Sequence, residues 1–398
     1  MRRLLHFVPA VLLLSSIASL LLARRGEGVP LFAARQGLMC GTCHFDPNGG
    51  GPRNEFGFNY AKNRHSLAPD DPDAPWGSVD LSNRLGENVP IYFGVNQRLM
   101  MLANATDPLD VVDRYGFFNM ENALHTAFRP HEMLTLVYTM DGGFSQVAQT
   151  REAFGLIGGL PYGSYLKVGR LRNPYGLRMD DHTVATRNAF LDFAGGRRFL
   201  PYDPRQSDEG FEIGASNGTW FGRASFTNGG GKNPVFTGDY AEAKAVKVGY
   251  NHPGYQGGIS IYEDLADDNT YGRRARWGYY GMTHYGPFAL LGEVGAGTDI
   301  RQDGRHVNLL AYFGELNVSP WKAVNFRVRY DHDELDRSSD DLVRDQNTYD
   351  RYALEAEWVP VPFAEFRATL RRIQQKEGAP GVEKYEENQG YLQVHLAY

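Results

Sequence analysis

The two cysteines of this chain, Cys40 and Cys43, stand three positions apart, and His44 follows the second directly. Two thiols at this spacing match the two vinyl groups of one porphyrin. A histidine placed immediately after them lies beneath the ring, where its imidazole ligates iron. Cys40-Gly41-Thr42-Cys43-His44 therefore reads as a covalent c-type haem attachment. Two other chemistries use a C-x-x-C pair. A zinc site wants four protein ligands, or three and a water, and the chain has no further cysteine. A thioredoxin-like dithiol wants a βαβ pattern around it, and the sequence displays none. The expectation is one haem c on Cys40, Cys43 and His44, with His44 on the iron. His65 is the candidate for the second axial position, because residues 56–64 read as a short helix returning over the haem; an open sixth position is the alternative. Met39 abuts Cys40 and is badly placed to reach the opposite face, and Met100 and Met101 fall at the expected end of a strand. The glycine run Asn48-Gly49-Gly50-Gly51 demands a loop. It is not a phosphate cradle, since no lysine or helix-opening Ser/Thr follows.

Haem attachment of this kind takes place outside the cytoplasm, and the N-terminus agrees. Arg2 and Arg3 precede an apolar stretch from Leu4 to Leu22, with small residues at Ser16, Ala18 and Ala23. That is the plan of a secretory signal over 1–23. An uncleaved anchor helix is the other reading, because Arg24 and Arg25 follow. Residues 24–88 are then the haem-bearing segment, with a Pro/Asp-rich linker from Asp70 to Pro75. The formal net charge of -6 and the lack of a basic stripe exclude nucleic acid as a partner. No Ser-His-Asp, metal-hydrolase or dinucleotide-binding pattern is present.

From residue 89 to 398 the texture is that of strands. Val324, Phe326, Val328 and Tyr330 alternate with Asn325, Arg327, Arg329 and Asp331; Leu392, Val394, Leu396 and Tyr398 alternate with Gln393 and His395. About sixteen such segments can be counted. Alternation alone fits a soluble sandwich or a membrane barrel equally. The connections favour the barrel: short turns such as Asn217-Gly218 and Gly286-Pro287 alternate with long polar ones at 229–240, 333–348 and 375–386. The terminal Tyr398 resembles the closing residue by which outer-membrane barrels are recognised for assembly. The fold expected is mainly β, a transmembrane antiparallel β-barrel of about sixteen strands with a small N-terminal monohaem cytochrome c segment. One connection, 172–208, is too long for a simple loop. Its arginines predict a segment folded into the barrel and paired with the charged wall.

The stretch from Pro30 to His44, Pro-Leu-Phe-Ala-Ala-Arg-Gln-Gly-Leu-Met-Cys-Gly-Thr-Cys-His, resembles the start of fused monohaem cytochrome–porins, among them the outer-membrane cytochromes of iron-oxidising bacteria. The motif covers about fifteen residues and the architecture the whole chain. The resemblance implies haem binding by Cys40, Cys43 and His44. It also implies electron flow from an extracellular donor, Fe(II) in the iron oxidisers, to a periplasmic carrier across the outer-membrane lipid. The sequence departs from the family after the motif, where Phe45-Asp46-Pro47-Asn48-Gly49 stands in place of a Phe-Pro stretch.

Two functions compete at this point. One is an electron conduit, to which an acidic outer loop at Asp331–Asp336 and at Asp340 and Asp341 could draw cations. The other is a solute porin with an accessory or sensory haem, in which Arg98, Arg327, Arg329, Arg367 and Arg371 select anions unless Glu355, Glu357 and Asp331 pair with them. A plugged lumen favours the first and an open, conducting lumen the second.

Overall fold

The computed structural model describes residues 30–398 apart from 69–73, 77–80, 87, 108–110, 144–146, 178–182, 188–206, 230–240, 267–270, 302, 338–339, 379 and 382. The expected signal segment and most of the expected linker lie outside the described residues. Sixteen antiparallel strands follow one another around a closed barrel, each paired with its neighbours in sequence, and the first pairs with the last. They are β1 Ile91–Asp107, β2 Val111–His131, β3 Leu134–Asp141, β4 Gln149–Leu160, β5 Ser164–Leu171, β6 Asp208–Ser216, β7 Trp220–Thr227 and β8 Ala241–His252. The second half comprises β9 Tyr255–Ala266, β10 Tyr271–Tyr285, β11 Phe288–Arg301, β12 His306–Trp321, β13 Val324–Glu334, β14 Thr348–Val361, β15 Ala364–Gln375 and β16 Glu386–Ala397.

Burial decides what alternation leaves open. Along β13 and most of β15 the apolar side chains are the more exposed and the charged side chains the more buried: Leu370 is 67% exposed and Arg329 3%. The same inversion runs round the wall, with Val246, Ile261, Trp277, Leu316 and Leu392 outside and Glu212, Arg276, Glu293 and Glu315 inside. A water-soluble fold has no use for an apolar coat over a charged interior. A barrel in lipid requires it, since the closed ladder leaves no backbone group unpaired toward hydrocarbon.

The short turns, at 131–134, 160–164, 216–220, 252–255, 285–288, 321–324 and 361–364, share one end of the barrel with both of its chain termini. There the C-terminal residue closes the seam: Tyr398 exchanges backbone hydrogen bonds with Val95 at 3.0 and 2.9 Å, and its ring meets Phe93 at 5.5 Å. Among the described residues three α-helices precede the barrel, α1 Pro30–Gln36, α2 Cys40–Cys43 and α3 Glu55–Lys62, and a fourth, α4 Asp341–Gln346, sits in the connection after β13.

Two expectations change. Met100 and Met101 are not at a strand end, because β1 continues to Asp107. Nor is the acidic run from Asp331 an outer loop. It is largely the last part of β13, where polar residues occupy both faces and so erase the alternation that marks a strand. Asp331 and Asp333 point into the lumen and are buried, and Asp340 caps α4 by accepting from Leu342 N and Val343 N.

Candidate functional site

Cys40 and Cys43 occupy one helical turn, α2, so their side chains share a face. Among the described residues neither forms a disulfide, and His44 closes the turn by donating its backbone N–H to Cys40 O at 3.1 Å. The turn is held from below by Asn54. Its Nδ2 donates to Thr42 O at 3.0 Å while its Oδ1 accepts from Gly57 N at 3.0 Å, so one side chain closes α2 and caps the start of α3. The two helices then touch without side chains between them: a Cβ on Gly57 would lie 2.1 Å from Cys43 O. Gly57→Ala is expected to push α2 off α3 and to destabilise this segment by ~1–3 kcal/mol, the usual cost of overpacking. Faster backbone exchange confined to 40–62 would register it.

The loop from 45 to 52 turns through left-handed backbone at Gly49, Gly50 and Gly51, with φ of 85°, 77° and 63°, which is why the sequence needs three glycines there. What it carries is fastened to the barrel wall. Asp46 pairs with the fully buried Lys167 of β5 at 2.7 Å, and Asn48 donates to both oxygens of Glu212 on β6 at 2.9 and 2.7 Å. Arg223 of β7 donates to Asn48 Oδ1 and Pro47 O at 2.7 and 2.8 Å. Elsewhere Arg35 of α1 pairs with Glu357 of β14 at 2.9 Å, Arg53 donates to Ala397 O at 2.9 Å, and Lys322 in the β12–β13 turn donates to Asn63 Oδ1 at 2.8 Å. Ala34 packs among Leu177, Tyr280, Met282 and Leu291, Phe45 against Tyr92, and Phe58 against Phe363 and Tyr398. The anchor points include β1, β5, β6, β7, β10, β11, β14 and β16, so the segment crosses the lumen at the short-turn end as a plug.

His65 lies just beyond α3 in left-handed backbone, φ 55°, with its ring 4.1 Å from that of Phe32 and 5.8 Å from that of Tyr60. Its Nδ1 has no hydrogen-bond partner, and burial lowers its pKa to about 3, so the imidazole is neutral at pH 7. The structure thus brings Cys40, Cys43 and His44 into one turn and sets His65 at the opposite end of α3 in an aromatic cleft. Met39, set aside as a ligand, has its sulfur engaged by Asn251. Burial also pushes the Cys43 thiol up to about 11, the reverse of the depressed pKa a nucleophilic dithiol needs.

Above the plug, the described parts of the long connection after β5 fold inward as expected. Arg187 is fully buried and grips Glu293 of β11 through two hydrogen bonds of 2.7 and 2.9 Å; Gly176 N donates to Ser260 Oγ at 2.9 Å and Ala185 N to Asp331 at 3.1 Å. The wall itself is largely paired. Arg98 meets Glu121 at 2.9 Å, Arg327 meets Glu355 at 3.0 Å, Arg329 meets Asp331 at 3.0 Å and Arg367 meets Glu365 at 2.6 Å. Little of the five-arginine set therefore remains as an unpaired cationic wall; Arg371 donates to the Tyr391 hydroxyl at 3.4 Å and lies over its ring.

No protein-family model and no curated protein matches the sequence. Solved structures do match the fold, among them porins and other outer-membrane proteins. The anion-selective porin from Comamonas acidovorans aligns over 77% of this chain and 99% of its own at 10% identity, with a TM-score of 0.57. The outer-membrane channel DcaP of Acinetobacter baumannii aligns over 80% and 100% at 10% identity, TM-score 0.54. OprB of Pseudomonas putida aligns over 78% and 94% at 10% identity, TM-score 0.54. At such identities the likeness establishes the porin-type barrel and carries nothing about a haem, a donor or iron.

Proposed function

We propose that this chain is an outer-membrane porin-type barrel with one c-type haem attached to its lumen plug, and that the haem passes electrons between a donor outside the cell and a carrier in the periplasm. The observation that carries the reading is the plug. The one C-x-x-C-H turn of the sequence is fastened across the lumen by buried ion pairs, which a cofactor mount requires and a permeation path does not. The donor set suits the group. Cys40 and Cys43 are outside any disulfide, sit on one face of a turn and would hold the porphyrin as thioethers, with His44 on the iron. The unpartnered Nδ1 and neutral imidazole of His65 make it the proposed second ligand. When bound, the haem supplies one-electron redox chemistry. The chain's own residues fix its attachment turn and fill the lumen around it. In outer-membrane barrels the short turns face the periplasm, so the plug end is the end a soluble carrier reaches.

The second reading is a solute-conducting porin with an accessory haem, and the porin neighbours favour it. One preparation separates the two. Oxidised protein in detergent, mixed with Fe(II) at neutral pH, is expected to show prompt haem reduction in its visible spectrum, and the same protein in a planar bilayer is expected to conduct poorly. A haem that ignores Fe(II) in a barrel that conducts freely would replace the conduit with the porin. A protein with no covalent haem would end both.

A further inference from the structure

Arg223 of β7 and Lys247 of β8 are directly opposite each other in the strand register, and both side chains enter the lumen. Like charges in that position repel. Lys247 is 5% exposed, and among the described residues neither it nor Arg223 has a carboxylate within ion-pair distance. Lys247 Nζ donates to Gly176 O at 2.5 Å and lies 4.9 Å from the centre of the Tyr280 ring. Arg223 donates only to Asn48 Oδ1 and Pro47 O. An ammonium offers three donors and a guanidinium five, so both cations keep donors in reserve. The nearby carboxylates are already engaged. Glu212 accepts from Asn48 and from Tyr165 at 2.5 Å, beside Lys167 at 3.8 Å, and Glu293 is gripped by Arg187. Four basic side chains, Lys167, Arg187, Arg223 and Lys247, share this part of the lumen with Asp46, Glu212 and Glu293, and Glu152 acts on Lys167 from beyond them.

A second feature points to the same spot. The Tyr280 hydroxyl is buried without a hydrogen-bond partner. It lies over Gly249 and Gly258, where a Cβ would come within 2.8 and 2.4 Å of it. Phe221, Met282 and Leu291 surround the group and keep the local dielectric low. Spare N–H donors on Arg223 and Lys247 and an idle O–H donor on Tyr280, gathered in an apolar chamber, describe one missing partner, an anion.

We propose that Arg223, Lys247 and Tyr280 form a binding site for one small anion, a carboxylate or inorganic oxyanion, between the plug and the inward loop. The anion has two sources. It is either a free solute ion or a carboxylate of the haem itself. The site does not depend on the haem reading.

The test is calorimetric titration of inorganic phosphate into the purified full-length protein at pH 7, on samples also stained for covalent haem. Wild type is expected to take one phosphate. Tyr280→Phe, which removes an oxygen with no partner and so leaves the fold alone, is expected to bind about tenfold more weakly. Lys247→Met is expected to lose binding. If the haem-loaded protein refuses phosphate while the Cys40→Ser, Cys43→Ser protein accepts it, the haem carboxylate is the occupant and the site stands. If neither accepts it, or if Tyr280→Phe and Lys247→Met both bind as wild type does, the site is overturned. The haem stain reports separately on the haem.

Discussion

Replacing Cys40 and Cys43 together by alanine is expected to abolish covalent haem completely while leaving a folded, membrane-inserted barrel. The argument rests on where the two thiols sit. Neither takes part in the wall. The ladder from β1 to β16 closes through backbone hydrogen bonds and the Tyr398 seam, and the cysteines pack against Gly49 and Gly57 of the plug, with Arg223, Lys247 and Tyr280 of the wall near Cys40. The plug is held to the wall by Asp46, Asn48, Arg35 and Arg53, all of which remain. Loss of the thiols therefore removes an attachment and not a support. A denaturing gel carries the check. Haem staining should vanish from the variant, whereas the unheated sample should still run with the mobility shift of a closed barrel. Staining that survives without either thiol would mean the haem is held some other way, and a variant that no longer forms the barrel would mean that the attachment turn supports the wall.

The wall was largely legible in the sequence, because a period of two with turn residues at its breaks is a local signal. Strand pairs such as Phe326–Ala356 and Leu354–Leu370 need nothing more than neighbouring segments with the same alternation. Which face meets lipid was not legible from alternation, since Arg327 and Val328 alternate identically in a water-soluble sheet. It is decided by closure, a property of all sixteen strands at once. The C-x-x-C-H turn stands out in the sequence as a pentapeptide, but its position inside the lumen was not legible. The partners of Asp46 and Asn48 stand 121 and 164 residues away, at Lys167 and Glu212, and each reads locally as one more polar residue on a strand. The acidic run at 331–336 misled because a strand polar on both faces has no alternation to see. Tyr280 and Lys247 gave no sign either. A tyrosine and a lysine are ordinary in a porin-like strand, and only the missing partners single them out.

Arg187→Met is expected to release the inward loop without unfolding the barrel. Arg187 is fully buried and gives both ends of its guanidinium to Glu293; the same side chain donates to Thr186 O at 2.8 Å and Tyr175 O at 3.2 Å. Removing one partner of a buried pair strands the other charge, at a cost of ~3–5 kcal/mol. Glu293 then keeps only the Leu177 N–H, at 2.7 Å, among these donors. The wall does not share that cost, because β11 is paired along its length to β10 and β12. The loop gives way instead, as a cooperative unit of lower stability than the sheet. At ~1.4 kcal/mol per factor of ten, the amide hydrogens of Gly176, Leu177 and Ala185 should exchange faster by about a hundredfold to a few thousandfold. Those of 48–62 in the plug should hold their rates. Adding Glu293→Gln to Arg187→Met removes the stranded charge and should recover part of the protection, which a purely steric account of the loop does not predict. Unchanged exchange at Leu177 in the single variant would show that the loop is held by its other contacts with the wall, among them Asn173–Thr227, Thr183–Arg329, Gly176–Ser260, Ala185–Asp331 and Lys247–Gly176. In that case the ion pair with Glu293 serves the field inside the lumen, and its removal should be felt first by the anion held at Arg223 and Lys247.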